Sequence, residues 1–172
     1  MLTLLETPSG FSLLMSILCK WEGTKYKHMG SNRDGIDCTK LLFRILIELN
    51  VVESNFHEDF NIPSDWFKHA KEQILIDTVD YVIENEIKPD FCFEKFSTTD
   101  VELKKGDFLF FSFVPNGLVH HSAIYTGGKS IFHVPFKGNK IHRVEKKACF
   151  DYLERSMINR MKFVYRLNRK EE

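Results

Sequence analysis

Helical and strand-like hydrophobic patterns occupy different halves of this chain, and that separation limits its fold more than any single motif. Phe11, Leu14, Met15 and Leu18 recur at i, i+3, i+4 and i+7, the buried face of an amphipathic helix over 11–21 with Ser9 at its N-cap. A second helix is predicted over 39–49, buried through Leu41, Leu42, Ile45, Leu46 and Leu49. A third starts from a Ser64 cap and runs to 84, with Phe67, Ala70, Ile74, Leu75, Val79 and Val82 at helical spacing. Beyond it the pattern changes. FLFFSF (108–113), HSAIYT (121–126), SIFHVPF (130–136) and KFVYRL (162–167) are rich in aromatic and β-branched residues, and Gly127-Gly128 supplies a tight hairpin turn. A short helix is expected over 147–157. Helices first and an antiparallel meander after make an α+β domain.

At 172 residues the chain is long enough for one core, and a single domain over 1–172 is expected. Hydrophobic content of 43% with 28% charged residues excludes a disordered tail and a membrane span. Lys+Arg and Asp+Glu balance at 24 each, which removes the basic footprint of a nucleic-acid binder. The apolar run 11–19 fails as an export leader: no basic residue precedes it, Glu6 sits where positive charge belongs, and no small-residue cleavage site follows. The expectation is cytoplasmic synthesis without a signal peptide or membrane anchor. Cysteines 19, 38, 92 and 149 form no CxxC pair, so they are read as reduced thiols, each by default a small buried hydrophobe.

Cys38 stands apart from the other three. GTKYKHMGSNRDGIDC leads without pause into the helical TKLLFRILIEL, so its sulfur faces the backbone N–H groups and positive end of a helix, which favour a thiolate. The same amides offer donors for an oxyanion, and Gly30 and Gly35 let the loop turn tightly and a substrate approach. Cys38 is therefore expected to react with iodoacetamide faster than Cys19, Cys92 or Cys149. His121 and His133 lie nearly equidistant from residue 127, so in a hairpin they share a face and can hydrogen-bond, the second orienting the first. His120 turns away by strand alternation. Cys38, His121 and His133 also make a possible set of three zinc ligands, although the helix-start position and the glycine loop explain only nucleophilic catalysis. His28, His57, His69 and His142 are read as surface residues.

These stretches resemble a known family. GTKYKHMGSNRDGIDC is similar to the GTPYxxGG…GxDC box of NlpC/P60-type cysteine peptidases, and KKGDFLFF and HSAIYTGGKSIFHV are similar to its GDLVFF and HVGIYxGxGxFIHA boxes in order and spacing. PSDWFKHAKEQIL and RMKFVYRL resemble the phage-tail and gene-transfer-agent branch, so the likeness runs over 23–167. It implies a papain-like fold, the nucleophile helix packed on an antiparallel sheet, with a helical insertion over approximately 50–104 between the Cys and His boxes. It implies a peptidoglycan endopeptidase with a Cys-His-His triad: Cys38 the nucleophile, His121 the general base, His133 the residue that orients the base. Tyr26 matches a cleft tyrosine near the oxyanion position. Asp37 matches the acid before the nucleophile, which either ties the loop to the helix start or is a plain N-cap. Thr39, beside the nucleophile, joins them on the substrate side. Thr39-Lys40 replaces a small residue and Gly, placing a long cation beside the cleft, and Ser122-Ala123 replaces Val-Gly, small enough to pack on the nucleophile helix. Asp65, Trp66 and Phe67 would cap the inserted helix and wall the cleft. The resemblance implies no cofactor and no metal. Its partners are a peptidoglycan peptide and phage-tail or tail-like assembly proteins, with virion or tail association. The alternatives on the same fold are an acyltransferase, a lipid or amide deacylase, or a non-catalytic tail or wall-binding module.

Overall fold

The computed structural model describes residues 2–53, 72–97, 101–135 and 146–170. Thr7 starts α1 (Pro8–Trp21): its hydroxyl accepts from Gly10 N at 3.1 Å, and Pro8 brings a preset φ to the first turn. Ser9 is thus inside the helix and not its cap. Leu14, Ile17, Leu18 and Trp21 are buried, while Phe11 and Met15 pack half-buried at the edge of the core. After the two-stranded β2 (Ser31–Asn32) and β3 (Gly35–Ile36) comes α2 (Cys38–Glu48), so Cys38 is the first helical residue, one earlier than predicted. Leu41, Leu42, Ile45, Leu46 and Leu49 are all buried, as their spacing requires. α3 (Ile74–Asn85) begins only after Gln73, whose φ of −80° and ψ of 55° are not helical, so the helix predicted to run unbroken from Ser64 to 84 is not continuous through residues 72–73. His57, Ser64, Asp65, Trp66, Phe67, His69, Ala70, Phe136 and His142, to which the sequence assigns roles, lie outside the described residues.

A seven-stranded antiparallel sheet carries these helices. Its strands are β1 (Leu2–Thr3), β4 (Phe91–Phe96), β5 (Phe108–Phe111), β6 (His121–Gly127), β7 (Ser130–His133), β8 (Cys149–Tyr152) and β9 (Met161–Arg169). The order is β1-β9-β5-β6-β7-β8, and β4 lies along the other edge of β9. Period-2 alternation splits the side chains into two layers. Phe108, Phe110, Ile124, Phe132, Tyr165 and Leu167 face α1, α2 and α3. Leu109, Phe111, Ala123, Ile131 and Val164 face the opposite side, under Leu153 and Met161. Both faces are covered, which is why FLFF reads as an unbroken apolar run and is buried at all of its positions.

Two elements differ from the sequence expectation. The sequence pattern predicts no strand at FCFEKF, yet β4 pairs with β9 along its whole length, and the stretch 50–104 therefore carries a strand as well as a helix. The helix expected over 147–157 is instead β8 followed by the short α4 (Arg155–Ile158). The outer edge of β7 offers a row of backbone donors and acceptors, and β8 pairs with it from Ser130↔Tyr152 to His133↔Cys149. Sheet pairing outweighs a weak helical pattern there.

Candidate active site

The loop between α1 and α2 is built to hold its far end in place. Gly30 and Gly35 lie against each other and against Lys27: a Cβ on Gly30 would sit 2.3 Å from the Gly35 carbonyl oxygen, and one on Gly35 would sit 2.4 Å from the Lys27 Cβ. These glycines serve the close packing of the loop on itself, as the expected tight turn requires. Asp37 closes the loop. Its Oδ1 accepts from Lys40 N and its Oδ2 from Met29 N, both at 2.8 Å, so it is at once the N-cap of α2 and a tie to the loop. Burial raises its pKa against these hydrogen bonds, and half-buried His28, read earlier as a surface residue, favours the carboxylate.

Cys38 is buried, and its Sγ lies 4.0 Å from the carbonyl oxygen of His120. Ser122 Oγ donates to the Cys38 carbonyl at 3.1 Å and pins the start of α2 to β6. Tyr26 is close enough for Cys38 and Asp37 to act on its phenol, whose pKa is pushed up to about 12, mostly by burial. Thr39 is half-buried, and its side chain favours the Cys38 thiolate by hydrogen bonding. Lys40 departs from expectation. It is only 4% exposed, so it is not a solvent-facing cation beside the cleft, and its charge acts on the buried Asp37 carboxylate.

The two histidines meet, but not in the register predicted. His133 stands opposite Ala123, two residues past His121: a turn at Gly128-Lys129 alone would set it opposite Ile124, and the irregularity of β6 between Tyr125 and Gly127 brings it back by one. The turn falls at Gly128-Lys129, with φ of 58° and 67°, and not at Gly127-Gly128. A shift of two keeps both rings on one face. His121 Nε2 lies 2.9 Å from His133 Nδ1. His121 Nδ1 is buried and has no hydrogen-bond partner among the described residues. His120 is buried as well, with Nδ1 3.1 Å from the Leu118 carbonyl oxygen.

Burial sets the charge states. The Cys38 thiol is raised from 9.0 to about 11, first by desolvation and then by Asp37, with Ser122 and Thr39 opposing. His121 is held well below 6.5 by desolvation, then by His133 and His120. Desolvation also lowers His133, while Asp151 pulls it upward. At neutral pH the site holds a neutral thiol and neutral imidazoles, and not the thiolate expected from the helix start. Among the described residues no group of three His, Cys, Asp or Glu is arranged to hold a metal ion.

Sequence reasoning missed two contributors. Asp151 Oδ2 lies 3.3 Å from His133 Nε2; its signal is the C-F-D-Y alternation, which falls inside the helix predicted over 147–157. Gln73 Oε1 accepts from Val119 N at 2.9 Å, and its Nε2 lies 3.4 Å from the Gly117 carbonyl oxygen, so it clamps the loop entering His120-His121. No local signal marks it.

The sequence model of the NlpC/P60 family matches residues 23–160. No curated protein matches the chain. Among solved structures, an NlpC/P60 family protein from Bacillus cereus ATCC 10987 is 19% identical with a TM-score of 0.52, over 89% of this chain and 38% of that one. NlpC1 from Trichomonas vaginalis is 15% identical with a TM-score of 0.52, over 91% and 42%. The NlpC/p60 domain of the peptidoglycan hydrolase SagA is 17% identical with a TM-score of 0.50, over 89% and 95%. This chain thus spans less than half the length of the first two and nearly all of the third. The α+β fold expected from the sequence, helices on an antiparallel sheet, is the fold these structures share.

Proposed function

The chain belongs to the NlpC/P60 family, and from that premise we propose that it is a cysteine hydrolase cleaving an amide bond in bacterial cell-wall peptide. One observation carries the reading. A helix-start thiol touches the peptide that joins His120 to His121, and the buried His121-His133 pair leaves the Nδ1 of His121 without a hydrogen-bond partner among the described residues. Cys38 attacks the scissile carbonyl carbon as its proton passes to that Nδ1. Backbone N–H groups of the first turn of α2 and the protonated phenol of Tyr26 are the donors for the oxyanion. The tetrahedral adduct collapses, the C–N bond breaks, and the His121 imidazolium gives its proton to the leaving amine. Water then attacks the acyl-Cys38 and delivers a proton to His121, which releases the carboxylate and restores the thiol. His133 holds His121 in orientation. Asp37 and Thr39 shape the substrate side of the helix start.

The substrate class draws support from SagA, whose NlpC/p60 domain is described as that of a peptidoglycan hydrolase. Carriage on a phage-tail or tail-like assembly is part of the proposal and rests on the resemblance of the segment after the Cys38 helix. Incubation with purified peptidoglycan should release peptides bearing new free amino and carboxyl ends, and Cys38→Ala should abolish the release. His121→Ala should cost on the order of 10²–10⁴-fold in turnover, the usual worth of a general base. His133→Ala should cost less. Acyl exchange onto an added amine without new carboxyl ends would make the chain an acyltransferase, and neither product would refute the catalytic reading.

A further inference from the structure

Asp151 terminates a line of hydrogen bonds that begins at the candidate base. Its Oδ2 lies 3.3 Å from His133 Nε2, its Oδ1 accepts from Tyr152 N at 2.7 Å, and His133 Nδ1 lies 2.9 Å from His121 Nε2. A carboxylate only accepts, so His133 Nε2 must carry the hydrogen in that contact. In a neutral ring His133 Nδ1 is then an acceptor, His121 Nε2 must donate to it, and His121 Nδ1 is left with a lone pair. With the opposite polarity His133 Nδ1–H would donate to His121, and a neutral His121 would carry its hydrogen on Nδ1, where it accepts nothing from a thiol. The two arrangements have the same heavy-atom positions and opposite chemistry.

We propose that Asp151 is a positioning residue that selects the Nε2–H tautomer of both histidines and so makes His121 Nδ1 the acceptor for the Cys38 proton. The assignment rests on the reading of Cys38 and His121 as nucleophile and base. Its location fits the role. β8 places Asp151 two residues from Cys149, which stands opposite His133, so both lie on the face that carries the histidines. Cys149 is a neutral thiol at neutral pH, raised to about 11 by burial and then by Asp151 and Glu22, and it does not compete as an anion for His133. The His133 ring is 7% exposed and the Asp151 side chain 55%, so the carboxylate meets solvent on one side and a buried ring on the other. An ordinary surface ion pair has no such one-sided geometry and contributes little.

The test is a long-range proton–nitrogen correlation spectrum of the protein with ¹⁵N-labelled histidine near neutral pH, run beside steady-state kinetics on peptidoglycan. Both His121 and His133 should show Nε2 protonated and Nδ1 bare. Asp151→Asn preserves shape at a half-exposed site but can donate as well as accept, so His133 should become a mixture of tautomers. Its kcat should fall on the order of tenfold, less than the 10²–10⁴-fold for loss of the base, with KM unchanged. Asp151→Glu should restore the single tautomer and part of the rate. An Nδ1–H tautomer on either ring of the unmodified protein overturns the proposal. So does an Asn variant whose spectrum and kcat both stay as they were. Should the chain cleave no wall peptide, the proposed function fails by itself, and the nitrogen spectrum still decides the tautomers.

Discussion

Cys38 shows how two opposing effects on one thiol are weighed. A helix start favours an anion by about 0.3–1 kcal/mol in exposed settings. Burial moves this thiol from 9.0 to about 11, and at 1.36 kcal/mol per pKa unit that is about 3 kcal/mol in the other direction. Burial therefore wins, and the resting protein needs a base at the moment of attack. Iodoacetamide labelling should put exposed Cys19 ahead of Cys38 at neutral pH, reversing the order expected from the sequence. The Cys38 rate should climb through the alkaline range toward pH 11, and a rate plateau below pH 7 would show a thiolate–imidazolium pair instead. Lys40 carries a similar lesson. Adjacency in sequence suggested a cation at the cleft, but the side chain is buried and its charge acts on the buried Asp37 carboxylate.

The β6–β7 hairpin was legible in outline and wrong in detail. Aromatic and β-branched runs around Gly127-Gly128 identified both strands, yet the turn uses Gly128 and Lys129, both at positive φ, with an irregularity before Gly127. The histidines still share a face because the register moved by two, and a shift of one would have turned one ring away. Lys129 holds a left-handed conformation that costs a side-chain-bearing residue about 1 kcal/mol or more. Lys129→Gly should raise the urea midpoint by roughly 0.5–1 kcal/mol of stability at unchanged m-value. A loss of stability would mean that the Lys side chain, and not its backbone, governs the turn. β8 was illegible for a different reason: its residues form a strand only because β7 presents an open edge to them.

The whole molecule should register its buried titrating groups as a stability plateau. His120, His121 and His133 all have pKa values lowered by burial. Below 6.5 the unfolded chain therefore binds more protons than the folded one, and the stability these rings support is present above 6.5 and lost as pH falls. Cys38 and Cys149 are raised from 9.0 to about 11, so their contribution is present below 9.0 and lost as pH climbs toward 11. Asp37, raised from 3.8, acts in the opposite sense to the histidines but nearer the carboxylate range. Urea midpoints measured across pH should be highest between 6.5 and 9.0, and a midpoint that rises from pH 6.5 to pH 5 would refute the assignment of neutral buried histidines. The amino-acid sequence alone determined the class of the fold, the buried face of α2, the helix-start cysteine and the histidine pair, because periodicity, caps and box spacing are relations among near neighbours. Only the tertiary structure decided that Lys40 is buried, that Asp151 stands behind His133 and that the thiol rests neutral. Each of these depends on burial or on a strand edge supplied from elsewhere in the chain, as when His120 meets Cys38 from 82 positions away.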